Sequence, residues 1–224
     1  MQHGVDERKL RTLPNFSHVA TSTASRDEAR RSLGCPVDRY LVVHTGNIGK
    51  KQGLDVVPRA ARFLEAAGSD VEFVIVGDGN QRHVVQDAAS DCANVRFAGF
   101  LPEDQYPLAL RAADLPLLCE RPGVLEMSLP SKLTSYATAG RPLLAAVQAG
   151  GITASYVADH EIAEVVAPGD AGALLAGIEA LRADPAKCVA MVRKATELAA
   201  SLQPAEAMLR YVSFIRDLNH CRLK

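Results

Sequence analysis

The residues with the clearest chemical potential stand in "LVVHTGNIGKKQGLDVV", where an apolar run empties into Gly46-Asn47-Ile48-Gly49-Lys50-Lys51-Gln52-Gly53. Gly46 and Gly49 permit close backbone approach and exposed amides. With Lys50 or Lys51 supplying a point charge, such a loop could grip a diphosphate. A tight strand-to-helix turn with solvated lysines would use the same residues. The spacing excludes two common phosphate loops. GxGxxG requires a glycine two residues after Gly46, whereas the next one is three away, and GxxxxGK[ST] does not occur.

A second stretch, "CERPGVLEMSLPSK" at residues 119–132, runs straight into a helical pattern. Pro130 limits the approach of the chain, Ser131 is a natural N-cap, and the first-turn amides with Lys132 could receive a phosphate; a plain capped helix is the alternative. A lysine at a helix start opposes the helix dipole unless an anion is near. Glu120 and Glu126 flank this loop and are either acceptors for sugar hydroxyls or solvated charges. Elsewhere, Asp78 in Gly77-Asp78-Gly79 could accept a ribose hydroxyl or only close an Asx turn. Gly99, Phe100 and Leu101 could hold a base with backbone and ring, or Phe100 could be core. His44, inside an apolar strand, is expected to satisfy a buried hydrogen bond rather than to catalyse. No Ser/His/Asp or Cys/His grouping stands out, and no carboxylate pair has a spacing that specifies acid–base work.

The elements that must position these residues alternate. Near-continuous apolar runs at 40–46, 71–77, 94–100, 115–120, 141–147 and 162–168 predict strands covered on both faces. Helical patterns fall between them at 53–68, 80–92, 103–114 and 131–140. The fold class is therefore α/β: a Rossmann-like, doubly wound parallel sheet of about six strands flanked by helices. In such a sheet ligands bind beyond the carboxyl ends of the strands where the order reverses, which brings the loops after the first and fourth strands together. From Asp170 onward three helices are expected, two of them opened by Pro185 and Pro204. The organisation expected is a polar lead at 1–38, the sheet domain at 39–202 and a C-terminal helix at 203–224, with Leu209, Val212, Phe214 and Ile215 on an apolar helical surface.

Bulk properties narrow the function classes. With 48% hydrophobic and 23% charged residues in 224, the chain is an ordinary folded protein. A net charge of −1 gives no global field for nucleic acid, so anion binding must be local. The five cysteines have no CxxC pair and no histidine at ligand spacing, which predicts reduced thiols, no metal centre and a cytoplasmic setting. No apolar run approaches the roughly 20 residues that cross a bilayer. Peripheral contact with the inner face of a membrane stays open.

The order "GNIGKKQGL", "VIVGDG", "NVRFAGFLP", "PSKLTSYATAGRPLLA" resembles the C-terminal, donor-binding half of retaining GT-B-fold glycosyltransferases, within them the bacterial exopolysaccharide and colanic-acid-type enzymes. The resemblance runs from about residue 13 to about residue 218. It implies a UDP- or GDP-sugar donor, no cofactor, and transfer of a hexose to a polysaccharide or lipid-linked acceptor. It places the base against Gly99, Phe100 and Leu101, the diphosphate at Gly46, Gly49, Lys50, Lys51, Ser131 and Lys132, and the sugar facing the loop from Glu120 to Ser128, which carries Glu126. Asn47 and Gln52 replace an arginine and a lysine common in relatives, and Ser135 stands where relatives place a ribose-gripping glutamate. The resemblance also implies an acceptor-binding domain ahead of residue 1, in cis or as a partner chain, reached through "GVDERKLRTLPNFS" and back across the C-terminal helix; without it the chain would be incomplete and inactive. A non-catalytic module of the same fold that acts in complex assembly is the other reading. A nicotinamide oxidoreductase is disfavoured by the missing GxGxxG.

Overall fold

The structure, a computed structural model, describes Leu13, Phe16, Ser17, Val19, residues 22–125 and residues 129–222, with side chains to residue 218. The strands are β1 (Tyr40–Thr45), β2 (Val71–Val76), β3 (Val95–Ala98), β4 (Leu115–Cys119), β5 (Leu143–Ala146) and β6 (Ala163–Val166). They form one parallel sheet in the order β3-β2-β1-β4-β5-β6. The six expected strands are therefore present, each shorter than its apolar run. Strand order reverses between β1 and β4, at the centre of the sheet.

The helices are α1 (Arg26–Ser32), α2 (Val56–Ala66), α3 (Arg82–Ala88), α4 (Tyr106–Ala112), α5 (Lys132–Ala137), α6 (Ile152–Asp159), α7 (Ala171–Ala183), α8 (Pro185–Ser201) and α9 (Pro204–Arg222). Alternate residues of each strand enter opposite cores. Val42, Phe73, Ile75, Leu115, Leu117 and Leu144 pack against α2, α3 and α7. On the other face Leu41, Val43, Val74 and Val76 meet α4, while Leu118, Leu143 and Ala145 meet α5, α6 and the end of α8. This double burial explains why the strands read as continuous apolar runs rather than alternating ones.

Two helices depart from the expectation. The lead segment contains α1, opened by a full capping box in which the Ser25 hydroxyl accepts from the Glu28 amide and the Glu28 carboxylate accepts from the Ser25 amide. Arg30 on α1 is 0% exposed and donates to the carbonyls of Ala112, Val37 and Arg39 and to the Asp114 carboxylate. A buried guanidinium is tolerated because carbonyls and a carboxylate occupy its donors. The second departure is α6, whose "ITASYVAD" lacks a strong apolar stripe and is opened by Gly151.

Glycines set the distance between the β1 and β2 loops. Gly77 has φ +131°, and a Cβ there would lie 2.0 Å from the Gly46 carbonyl oxygen. Gly79 similarly lies under the Ile48 carbonyl. The two loops are joined through backbone, with the Gly46 amide donating to Val76 O, the Ile48 amide to Asp78 O and the Gln81 amide to Ile48 O. At the other end of the chain, α9 leaves Met208, Leu209, Val212, Ile215 and Leu218 exposed.

Because a side chain at Gly77 meets rigid backbone as well as an unfavourable φ, Gly77→Ala is expected to cost at least about 2 kcal/mol. Gly68→Ala, at φ +64° with nothing within 4 Å of the new methyl, should cost roughly 1 kcal/mol. Urea unfolding of both variants checks the difference.

Candidate functional site

The ladder between β1 and β4 consists of Val42↔Leu115 and Val43↔Pro116. Beyond it the strands diverge and side chains take over the bonding. His44, 1% exposed, sets Nδ1 3.1 Å from the Leu117 carbonyl. Tyr136 of α5 accepts from the Thr45 amide at 2.9 Å and donates weakly toward Leu117 O at 3.4 Å. The Thr45 hydroxyl meets the Tyr106 hydroxyl of α4 at 2.9 Å. Tyr136 thus ties α5 to both strands, and Lys132, one turn earlier on the same helix, is carried into the gap.

Lys132 Nζ lies 3.0 Å from His44 Nε2. A carbonyl can only accept, so the His44 proton is on Nδ1 and Nε2 accepts from the ammonium. Burial, and then the Lys132 charge, lower the His44 pKa from 6.5 to about 3, so the imidazole is neutral. Burial also lowers the Lys132 pKa, from 10.5 to about 8. The Lys132 stem occupies the space a side chain at residue 46 would need: a Cβ on Gly46, at φ +103°, would stand 2.8 Å from Lys132 Cε. Gly46 is therefore the residue that lets the two loops meet.

A pocket of about 540 Å³ opens over this junction. Gly46, Lys51, Ser131, Lys132 and Ser135 line it, with Asn47, Gln52, Tyr106 and Glu120 completing the polar wall. Glu120 accepts from the Thr153 hydroxyl of α6 at 2.9 Å, and its pKa is raised by burial against the opposing pull of Thr153 and Lys51. The loops are further stitched where the Arg121 amide donates to Lys51 O. Cys119 behind Lys132 is a buried thiol, its pKa pushed up to about 12 by burial. The described cysteines are free, and no group of three or more His, Cys, Asp or Glu among the described residues could hold a metal ion.

The structure separates the expected site residues. It gathers Gly46, Lys51, Ser131, Lys132 and Ser135 on one pocket, whereas Lys50 and Gly49 do not line it. Two expectations about their roles are corrected. The amides of Gly46, Ile48 and Gly49 are not presented to solvent but spent inside the protein, the last on the Gln52 side chain at 3.0 Å. Ser131 occupies the N-cap position with helical backbone and caps nothing; the Leu133 and Thr134 amides bond back to Pro130 and Ser131 carbonyls. Asp78 bonds the next amide, Gly79, at 2.7 Å. Phe100 is 85% exposed, so it is not core, while Leu101 packs partly against the cluster around Leu41 and Val43. Glu126 lies outside the described residues, as does most of "GVDERKLRTLPNFS". Sequence reasoning passed over Tyr136 and Thr153, and met Gln52 only as the replacement of a lysine, not as the acceptor for the Gly49 amide. It also left His44 without its lysine partner, because no short-range spacing links residues 44 and 132.

The sequence profile of the glycosyl transferases group 1 matches residues 25–198. The chain belongs to this family. WcaI of Escherichia coli strain K12, which carries the name colanic acid biosynthesis glycosyl transferase, is 29% identical over 188 residues, covering 80% of this chain and 45% of WcaI. The fold matches Anabaena HepE, solved in complex with UDP and glucose, at TM-score 0.69 and 19% identity, over 89% of this chain and 53% of HepE. It also matches the C-terminal domain of the group 1 family protein LpcC from Francisella tularensis at TM-score 0.63 and 18% identity, over 82% of this chain and 95% of that domain. The fold is that of one half of a GT-B glycosyltransferase, as expected. The chain spans about half the length of the curated relatives it matches. No helix among the described residues is long and apolar enough to cross a membrane.

His44 gives this family member a measurable acid lability. Its pKa is near 6.5 when unfolded and about 3 when folded, so the unfolded chain binds the extra proton below pH 6.5. Stability is full above that pH and is lost as pH falls toward the folded value. Relative to His44→Gln, which cannot titrate, the wild type should lose roughly 2–3 kcal/mol between pH 6.5 and about 4.5. Parallel urea unfolding curves across that range check it.

Proposed function

We propose that the chain is the donor-binding half of a retaining, metal-independent glycosyltransferase that transfers a hexose from a UDP- or GDP-sugar to a polysaccharide or lipid-linked acceptor. The observation that carries the reading is the convergence of Gly46, Lys51 and Lys132 on one polar pocket at the strand-order reversal, where α/β sheets bind ligands. The diphosphate lies against Lys132 and Lys51. These cations, of which Lys132 is held in place by His44, offset the charge that grows on the leaving diphosphate as the glycosidic bond breaks. The half-buried Glu120, with Thr153 holding one oxygen, accepts hydroxyls of the sugar. The base extends toward the carboxyl end of β3, where Gly99, Phe100 and Leu101 lie.

The retaining course, the hexose and the exopolysaccharide setting rest on the family likeness. An acceptor-binding domain, in cis or as a partner chain, completes the cleft, with the exposed apolar face of α9 as its natural seat. In this reading the isolated chain binds donor without turning it over, and the whole enzyme works in the cytoplasm, peripherally at the inner membrane face. A non-catalytic assembly module is favoured by one observation: the neutral Gln52, in place of the family's lysine, brings no charge to the pocket and accepts from the Gly49 amide of its own loop.

Titration calorimetry with UDP, GDP and their sugars separates the two. A donor site should bind one nucleotide selectively. Lys132→Ala should weaken that binding by about tenfold or more and Lys51→Ala by about three- to tenfold, whereas Lys50→Ala stays within about twofold. Absence of any nucleotide binding favours the module.

A further inference from the structure

We infer that His44 is a positioning residue for the site's central cation: its buried, uncharged imidazole holds the Lys132 ammonium at the pocket without neutralising it. This inference rests on the donor-site reading above. The geometry supplies both halves of the device. Leu117 O fixes the proton on Nδ1, which turns the Nε2 lone pair toward Lys132 Nζ at 3.0 Å. The ring is buried, 1% exposed, and Gly46 leaves the space that the lysine stem occupies.

The chemical identity of the acceptor matters. A carboxylate at residue 44 would also hold an ammonium, but it would cancel the charge a diphosphate needs and compete with it for the same donors. A neutral nitrogen takes one of the three ammonium hydrogens and leaves the positive charge and the other donors for the ligand. It also limits the rotamer freedom of a long side chain before binding, a cost that a free lysine would meet when the ligand arrives. Tyr136 already bonds toward Leu117 O from α5, so satisfying that carbonyl does not by itself require a histidine. The Nε2 contact is what a histidine adds.

The test is a double-mutant cycle in the 224-residue chain, using whichever of UDP and GDP the wild type binds more tightly, with melting curves as a check on folding. His44→Phe should weaken binding about tenfold and His44→Gln, which keeps an acceptor, by less than about threefold. In a Lys132→Met background, His44→Phe should change affinity by less than about twofold. Equal losses from His44→Phe in both backgrounds mean a merely structural histidine and overturn the inference. So does a Lys132→Met loss with no loss in His44→Phe. If Lys132→Met itself leaves affinity unchanged, or the wild type binds neither nucleotide, the donor-site reading falls and takes this one with it. A second measurement needs no substitution at His44. The imidazole 15N shifts should show an Nδ1–H tautomer in the wild type, with an Nε2 resonance that moves to that of a non-bonded ring nitrogen in Lys132→Met. An Nε2 resonance unchanged by that substitution contradicts the inference.

Discussion

The site depends on a gap in hydrogen bonding. β1 and β4 pair through Val42–Val43 and Leu115–Pro116 and then separate, so the carboxyl ends of the two central strands carry backbone groups that the sheet does not satisfy. Buried groups of that kind need partners. Here the partners are side chains: His44 and Tyr136 for Leu117 O, Tyr136 for the Thr45 amide. Completing the backbone bonding and placing α5 are one event, and α5 brings Lys132 with it. A cation is thus fixed at the crevice by the same contacts that close the sheet.

The glycines shape that junction. Gly77 and Gly79 allow the β2 loop to lie on the β1 loop backbone to backbone, which fixes Gly46; Gly46 in turn leaves room for the lysine stem. With the Gly46, Ile48 and Gly49 amides spent internally, the positive charges that line the pocket from these loops are the ammonium groups of Lys51 and Lys132. That makes the site sensitive to the placement of two ammonium groups, and burial lowers the pKa of one of them, Lys132.

Much of this was legible in the sequence, for physical reasons that differ by element. Strands covered on both faces announce themselves as continuous apolar runs, and proline starts marked α8 and α9. The reversal point followed from the alternation of elements, so the meeting of residue 46 with residue 132 could be expected. α1 was obscured by its polar composition, although Ser25 and Glu28 carry the spacing of a capping box. α6 offers small and β-branched residues without a stripe. Lys50 and Lys51 are equivalent as letters; only the turn of the short 3-10 helix over residues 50–52 sends one to the pocket and the other away. The Nε2 contact of His44 was beyond reach because it joins residues 88 positions apart. The cap expected of Ser131 failed because its own backbone is already helical.

The family assignment and the fold stand on the match over residues 25–198 and on the structural likenesses; what the pocket holds is the central claim. A crystal structure of the chain soaked with UDP or GDP tests it most directly. The account expects pyrophosphate density in the gap between β1 and β4, within hydrogen-bond distance of Lys132 Nζ and close to Lys51. Nucleotide bound elsewhere on the molecule, with Lys132 still facing an empty crevice, would contradict it.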